Sequence, residues 1–288
     1  MKPELDLRRG PYRLGVIGDP VAHSLSPALH QPALDRLGIP AVYERWHTPA
    51  AEIERRIDRL REPDTLGANV TVPHKLAAMR LVDEVSRAAQ RAGAVNTIVN
   101  RGGWLFGDNT DIYGFATSME AAFAGRVPTG ALVLGAGGAA RAVVLALEAL
   151  GVPEIVVANR NAARAAQLAA DLAPAPVRAV ALDDETLSRE LPGAQLLVNA
   201  TSLGWHAGET PIDVRALDRL AHDTIVADLT YRDTDLLLAA RECSLRTVDG
   251  LPMLVYQGAR AFEHFTGIPA PVEVMLEAAR RARQGNVG

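Results

Sequence analysis

Apolar positions along this chain come in two spacings, and the alternation between them predicts the elements. Short apolar runs read as strands: Arg13 to Gly18, Ala41 to Trp46 and Gly67 to Val72. Turn formers stop the first and third, Asp19-Pro20 after Gly18 and Pro73 after Val72. Helical spacing fills the intervals. Pro27 to Leu37 is one such segment, with Ser26 suited to the N-cap and Pro27 to the first helical position. Pro49 to Leu60 is another, with Ile53, Ile57 and Leu60 on one face. Lys75 opens a short helix after Pro73, and Val85 to Ala92 predicts one more. Gly93 to Val99 and Trp104 to Gly107 predict a hairpin around Gly102-Gly103. The polar run Asp108-Asn109-Thr110-Asp111 then leads into a helix near Ile112.

Beyond Gly125 to Gly130, a plausible junction turn, the rhythm becomes regular. Strands are predicted near 131–135, 154–158, 195–200, 224–229 and 245–248, with helices between most of them. That is the βαβ pattern of a parallel sheet covered on both faces. Met253 to Phe265 and Val272 to Arg283 are helical with no further strand. At 288 residues the chain has room for two domains. The expected class is α/β.

One junction carries recognisable chemistry. Leu132 to Arg141 runs from strand to glycine turn to helix, in the pattern G-x-G-x-x-A with Gly135, Gly137 and Ala140 in the small positions. The first makes the turn, the second lets backbone approach a pyrophosphate, and the third lets helix and strand pack closely. Gly135, Ala136, Gly137, Gly138 and Ala139 are therefore candidate cofactor-binding positions, with the helix N–H groups aimed at phosphate. The next strand ends in Asn159-Arg160, with Arg164 one helical turn on. An acid there would take the ribose hydroxyls of NAD; two guanidiniums instead suit the extra phosphate of NADP. The structural alternative is a pair of solvated arginines on a surface helix.

Composition narrows the partners. The chain is 48% hydrophobic and 22% charged with net charge −4, an ordinary globular balance with no basic footprint, so no nucleic acid is expected. No apolar run approaches about 18 residues, so no membrane span is expected. Met1 to Gly10 is charged and is not expected to act as a signal peptide. Cys243 is the one cysteine, which rules out an internal disulfide and a cysteine-rich metal site; it is expected to pack as a small hydrophobe. The histidines lack i, i+4 spacing, so no metal is expected, and a cytoplasmic location follows as the default.

Seven motifs then occur in order: HSLSP (His23 to Pro27), NVTVPHK (Asn69 to Lys75), GAVNT (Gly93 to Thr97), GDNTD (Gly107 to Asp111), GAGGAAR (Gly135 to Arg141), NATSLG (Asn199 to Gly204) and DGLPMLVYQGARAF (Asp249 to Phe262). Together they resemble the shikimate 5-dehydrogenase family, from about Tyr12 to Gly267. The resemblance implies NADP-dependent, reversible reduction of the small molecule 3-dehydroshikimate to shikimate. It implies two domains: residues 1–111 plus 251–288 as an N-terminal substrate domain with a mixed, mostly parallel sheet, and 112–250 as a Rossmann-type NADP-binding domain. A monomer or homodimer is expected.

The resemblance also implies roles. Lys75 would be the proton donor, with Asp111 holding its ammonium. Ser24 and Ser26 would bind the substrate carboxylate; a plain N-cap is the structural alternative for Ser26, whereas Ser24 has no such local role. Asn69 or Thr71, Asn96 and Gln257 would read hydroxyls, and Tyr231 would lie near the carboxylate. The structural alternative for Asn96 is a hydrogen bond that holds the hairpin. Thr201 and Ser202 would pass beside the nicotinamide or its ribose, with Gly250 and Met253 on the other side. Two positions depart from the common family pattern: Asn161 where many members carry Thr, and Pro252 where many carry Gly. Trp205-His206 has no assigned role, and His206 reads as a loop residue. A quinate or aminoshikimate dehydrogenase would share the scaffold.

Overall fold

The computed structural model describes residue 7 and residues 10–285, so the reading of Met1 to Gly10 falls almost entirely outside the described residues. Two compact units divide the chain. The first runs up to Thr110 and resumes at Val255; the second is Asp111–Leu254.

The first unit contains β1 (Tyr12–Gly18), α1 (Ser26–Arg36), β2 (Ala41–His47), α2 (Ile53–Asp58), β3 (Thr65–Val70), α3 (Lys75–Leu81), β4 (Glu84–Val85), α4 (Arg87–Ala92), β5 (Thr97–Arg101) and β6 (Trp104–Asp108). Its sheet has the order β2-β1-β3-β5-β6-β4. β1 runs parallel to both β2 and β3, while β5 is antiparallel to β3 and to β6. β3 is buried at every position, as a run with both faces covered must be. β2 is only partly buried, enclosing Ala41, Tyr43 and Trp46 and exposing Val42, Arg45 and His47. Ile53, Ile57 and Leu60 pack with Ile17, Val70 and Ile98 in one core.

Several elements differ from the sequence reading. The amphipathic stretch after Pro49 is a six-residue α2 flanked by 3-10 turns rather than one helix. The third strand begins at Thr65 and ends at Val70, with the Thr71 N–H still bonded to the Ile17 carbonyl of β1. Val85 pairs with Gly107 in the sheet, and Ser86 caps α4 by accepting from the Ala89 N–H. Ser26 is not the N-cap of α1. Leu25 holds that position, and the Ser24 hydroxyl accepts the Ser26 N–H at 3.2 Å. Ser24, for which no local role was expected, thus holds the backbone at the start of α1.

The second unit contains α5 (Asp111–Phe123), β7 (Gly130–Leu134), α6 (Gly138–Ala149), β8 (Glu154–Asn159), α7 (Ala162–Asp171), β9 (Val177–Ala181), α8 (Asp184–Glu190), β10 (Leu196–Asn199), β11 (Ile225–Asp228), α9 (Asp235–Glu242) and β12 (Arg246–Val248). Its sheet is parallel throughout, in the order β12-β11-β10-β7-β8-β9. That is the doubly wound order, whose direction of winding switches between β7 and β10. β9 was not expected from sequence. It is a partly buried edge strand preceded by Ala173 to Pro176, where the prolines give no strand signal.

α10 (Leu251–Thr266) begins in the second unit and enters the first at Val255; α11 (Val272–Gly285) follows. Phe262 and Phe265 of α10 both approach the ring of His30 on α1. A Cβ on Gly258 would stand 2.8 Å from the Leu29 side chain, so a larger residue there would have to push that side chain aside. No helix among the described residues is long and apolar enough to cross a membrane.

Candidate active site

In the first unit, four connections converge on one end of the sheet. β1 and β3 are parallel neighbours, so the loop into α1 and the turn into α3 leave from the same end. β5 starts there and β6 returns there, because each is antiparallel to its neighbour. Ser24, Ser26, Asn69, Thr71, Lys75, Asn96 and Thr110 all lie at that end.

The Ser24 hydroxyl donates to Ser26 Oγ at 3.1 Å, and Arg45 of β2 donates to the Ser24 carbonyl at 2.9 Å. The buried Tyr43 phenol donates to Asn69 Oδ1 at 2.7 Å. Burial pushes the Tyr43 phenol up. Asn69 Nδ2 donates to Thr97 Oγ1 at 3.2 Å. Asn96 Oδ1 accepts from the Thr110 N–H at 2.8 Å, and its Nδ2 donates to Thr110 Oγ1 at 3.0 Å. The amide of Asn96 therefore ties the start of β5 to the end of the polar run after β6.

Thr71 and Lys75 follow β3 directly. Lys75 is the first residue of α3, partly buried, and its carbonyl accepts the Val95 N–H at 3.0 Å, one residue from Asn96. The preceding His74 is buried and anchored on the Thr48 carbonyl at 2.6 Å. Gln257, partly buried, lies on α10 just past its entry into this unit. Asp111 opens α5 and belongs to the second unit, one peptide bond after the anchored Thr110. Asp108 in the same run lies beside His264. Burial pushes its carboxyl up, but His264, Ser86 and the Asn109 N–H outweigh burial and hold it below the usual range.

In the second unit the site forms at the switch between β7 and β10. Gly135 has φ of +109°, and a Cβ there would stand 3.0 Å from the Ala200 carbonyl oxygen. The turn after β7 thus rests on the loop after β10. Gly137, Gly138 and Ala139 are exposed, Ala136 is partly buried, and no side chain caps α6. Its first N–H groups are thereby left to a ligand, and a pyrophosphate fits this opening. Asn159 donates to the Asn161 carbonyl at 2.9 Å, and Asn161 caps α7. Arg160 and Arg164 are exposed, and neither has a carboxylate partner among the described residues.

The loop after β10 is fastened from below. Thr201 N–H and hydroxyl both donate to Asn199 Oδ1, at 3.0 and 2.7 Å, while Asn199 Nδ2 donates to Asp228 Oδ2 at 3.0 Å. Thr234 Oγ1 and the Thr230 N–H complete the ring around Asp228, whose side chain is 1% exposed. Ser202 is exposed above this base. Tyr231 stands edge-on to Trp205, ring centroids 4.9 Å apart, and burial pushes its phenol up. Gly250 donates its N–H to the Thr230 carbonyl, and Met253 lies in the first turn of α10, where Pro252 is accommodated. His206 is exposed in a loop held by Glu209.

Comparison with known proteins bears on this arrangement. Residues 16–98 match the shikimate dehydrogenase substrate binding domain, 122–249 match shikimate / quinate 5-dehydrogenase, and 250–280 match the shikimate 5'-dehydrogenase C-terminal domain. The shikimate dehydrogenase (NADP(+)) of Symbiobacterium thermophilum is 46% identical, over 96% of this chain and 97% of its own. The chain belongs to the shikimate dehydrogenase family. Two solved family structures share its fold. Shikimate 5-dehydrogenase of Thermus thermophilus, in complex with NADP(H) and shikimate, superposes with a TM-score of 0.84 at 42% identity, over 94% of this chain and 99% of its own. Quinate dehydrogenase of Corynebacterium glutamicum, in complex with NAD, gives 0.85 at 34% identity, over 94% and 99%.

The residues behind the site carry no local sequence signal. Tyr43 reads only as an inward-facing strand aromatic. Asp228 reads only as a strand end, and its role depends on Asn199, a partner 29 positions away. No local signal marks either.

Proposed function

We propose that this chain catalyses the NADP-dependent, reversible reduction of 3-dehydroshikimate to shikimate. The observation that supports it best is the convergence of Ser24, Ser26, Asn69, Thr71, Lys75 and Asn96 on one end of the first sheet. That set offers hydroxyl donors for a carboxylate, amides for ring hydroxyls and an ammonium for a ketone oxygen. Residues 1–111 with 251–288 serve as the substrate domain and 112–250 as the NADP domain, a division supported by compact units with nearby bounds.

Bound NADPH supplies the hydride. Gly135, Ala136, Gly137, Gly138 and Ala139 hold its pyrophosphate; Asn159, Arg160 and Arg164 hold the ribose phosphate. Thr201, Ser202, Gly250 and Met253 line the nicotinamide. Ser24 and Ser26 donate to the substrate carboxylate, with Tyr231 nearby. Asn69, Thr71, Asn96 and Gln257 read the hydroxyls. A ketone that gains hydride becomes an alkoxide, so a positioned acid lowers the barrier. Lys75 gives that proton, and Asp111 keeps the ammonium in place. The single cysteine supports a cytoplasmic enzyme and the net charge of −4 one without nucleic-acid partners, acting as a monomer or homodimer.

Lys75→Ala tests the chemistry. Single-turnover hydride transfer at saturating shikimate and NADP+ should slow by about 10²–10⁴-fold, with NADP+ binding retained. Near-normal transfer would reduce Lys75 to a binding residue and assign the proton to another group.

A further inference from the structure

Asp228 ends β11, in register with Asn199 at the end of β10. Both side chains are buried. The carboxylate gathers donors from three segments. Its Oδ2 accepts from Asn199 Nδ2 at 3.0 Å and from Thr234 Oγ1 at 2.9 Å, and its Oδ1 accepts the Thr230 N–H at 2.9 Å. An amide of the same size has one acceptor atom and one donor, so a carboxylate alone satisfies the whole set.

Two arms lead from this carboxylate to residues read as nicotinamide contacts. The first runs through Asn199. An amide side chain has two protons and two lone pairs, and here all are used. Nδ2 donates to Asp228 and to the Leu203 carbonyl, each at 3.0 Å, while Oδ1 accepts the Thr201 N–H at 3.0 Å and the Thr201 hydroxyl at 2.7 Å. Turned over, the amide would set its oxygen against the Asp228 and Leu203 oxygens and its N–H groups against the Thr201 N–H. Asp228 therefore helps fix which end of Asn199 faces Thr201. Thr201 Oγ1 in turn accepts the Leu203 N–H at 3.1 Å, which closes the loop that carries the exposed Ser202. The second arm runs through Thr230, whose carbonyl accepts the Gly250 N–H at 3.1 Å. A Cβ on Gly250 would stand 2.0 Å from the Leu229 carbonyl oxygen, so Gly250 lies tight against the backbone that Asp228 holds.

We infer that Asp228 is a positioning residue for the nicotinamide end of the cofactor: one buried carboxylate sets the Thr201-Ser202 loop through Asn199 and Gly250 through Thr230. The inference rests on the reading of Thr201, Ser202 and Gly250 as nicotinamide contacts. Arg160 and Arg164, read as phosphate contacts, lie after β8 and outside this set of bonds. Breaking the set therefore disturbs the nicotinamide end and spares the adenosine end.

Asp228→Asn keeps the shape and removes one acceptor. Whichever way the new amide turns, its N–H groups meet a donor, Asn199 Nδ2 or the Thr230 N–H, and one arm comes loose. The measurements are single-turnover hydride transfer at saturating shikimate and NADP+, the inhibition constant of adenosine 2′,5′-bisphosphate, which has the phosphate but no nicotinamide, and the melting temperature. Thr234→Val is the control for a loss of stability alone, because it removes a bond to Asp228 and the cap of α9 but neither arm. Asp228→Asn should slow hydride transfer by about 10- to 100-fold, the size of a misplaced reacting group, with the bisphosphate constant within about twofold of wild type. Thr234→Val should lower the melting temperature and leave both kinetic quantities within about twofold. Wild-type hydride transfer in Asp228→Asn, a bisphosphate constant raised as much as transfer is slowed, or equal slowing by Thr234→Val would overturn the inference and leave Asp228 a structural residue. If Asp228→Asn does not fold, Asn199→Ala releases the Thr201 arm and carries the same expected and overturning results. Failure of the inference leaves wild type active; if wild type did not reduce NADP+ with shikimate, the proposed function itself would fail.

Discussion

At the scale of single residues, α1 carries a buried base whose ionisation is set by its surroundings. His30 is neutral in the native state because burial lowers its pKa from 6.5 to about 3. The unfolded chain takes up a proton near 6.5, while the native chain does not until about 3. Stability is therefore full above 6.5 and is lost as pH falls from 6.5 towards 3. Between pH 7 and pH 5 the loss from this one group should be about 2 kcal/mol, read by urea unfolding. His30→Leu should flatten that part of the profile; a variant with the same acid loss as wild type would assign it elsewhere. In the other unit, Arg160 and Arg164 stand exposed after β8 with no carboxylate partner among the described residues. Changing both to neutral residues should weaken NADP+ by about tenfold or more while sparing NAD+, measured as KM for each. Equal loss for both cofactors would sink the phosphate-clamp reading.

At the scale of elements, the turn after β7 is the joint on which the second site depends. Gly135 holds φ of +109° with the Ala200 carbonyl at 3.0 Å from any Cβ. Gly135→Ala should cost about 1–2 kcal/mol in strain and push the turn off the β10 loop, lowering the melting temperature and raising the KM for NADP+ more than that for shikimate. A melting temperature and NADP+ KM like those of wild type would show that the contact yields easily. This turn was legible in sequence because its chemistry is local: an apolar run, small residues at fixed offsets, then a helix. The order of chemistry-bearing motifs was legible for the same reason. What was not legible depended on distant partners. Ser26 is not the N-cap of α1 because the backbone at Leu25 already lies in the helical region and Leu25 takes that position, with no side-chain cap. β9 forms because β8 offers an edge, not because Val177 to Ala181 has a strong strand pattern. Tyr43 and Asp228 carry no motif of their own, and their partners lie 26 and 29 positions away.

At the scale of the whole molecule, the chain builds two sheets by different rules and gives each its own ligand chemistry. The mixed first sheet gathers hydroxyls, amides and a lysine at one end. The parallel second sheet opens a helix N-terminus at its switch point. α10 returns the chain from the second unit to the first, so the segment after Asp249 serves both. The central claim is that these two chemistries meet in one reaction, oxidation of shikimate by NADP+ and its reverse. Initial rates with shikimate and with quinate, each with NADP+ and with NAD+, test it most directly. Shikimate with NADP+ should give the highest kcat/KM of the four pairs, with NAD+ lower by about 10²-fold for loss of the phosphate contacts. The account would be contradicted if NADP+ were not reduced in the presence of shikimate, or if quinate with NAD+ outran shikimate with NADP+.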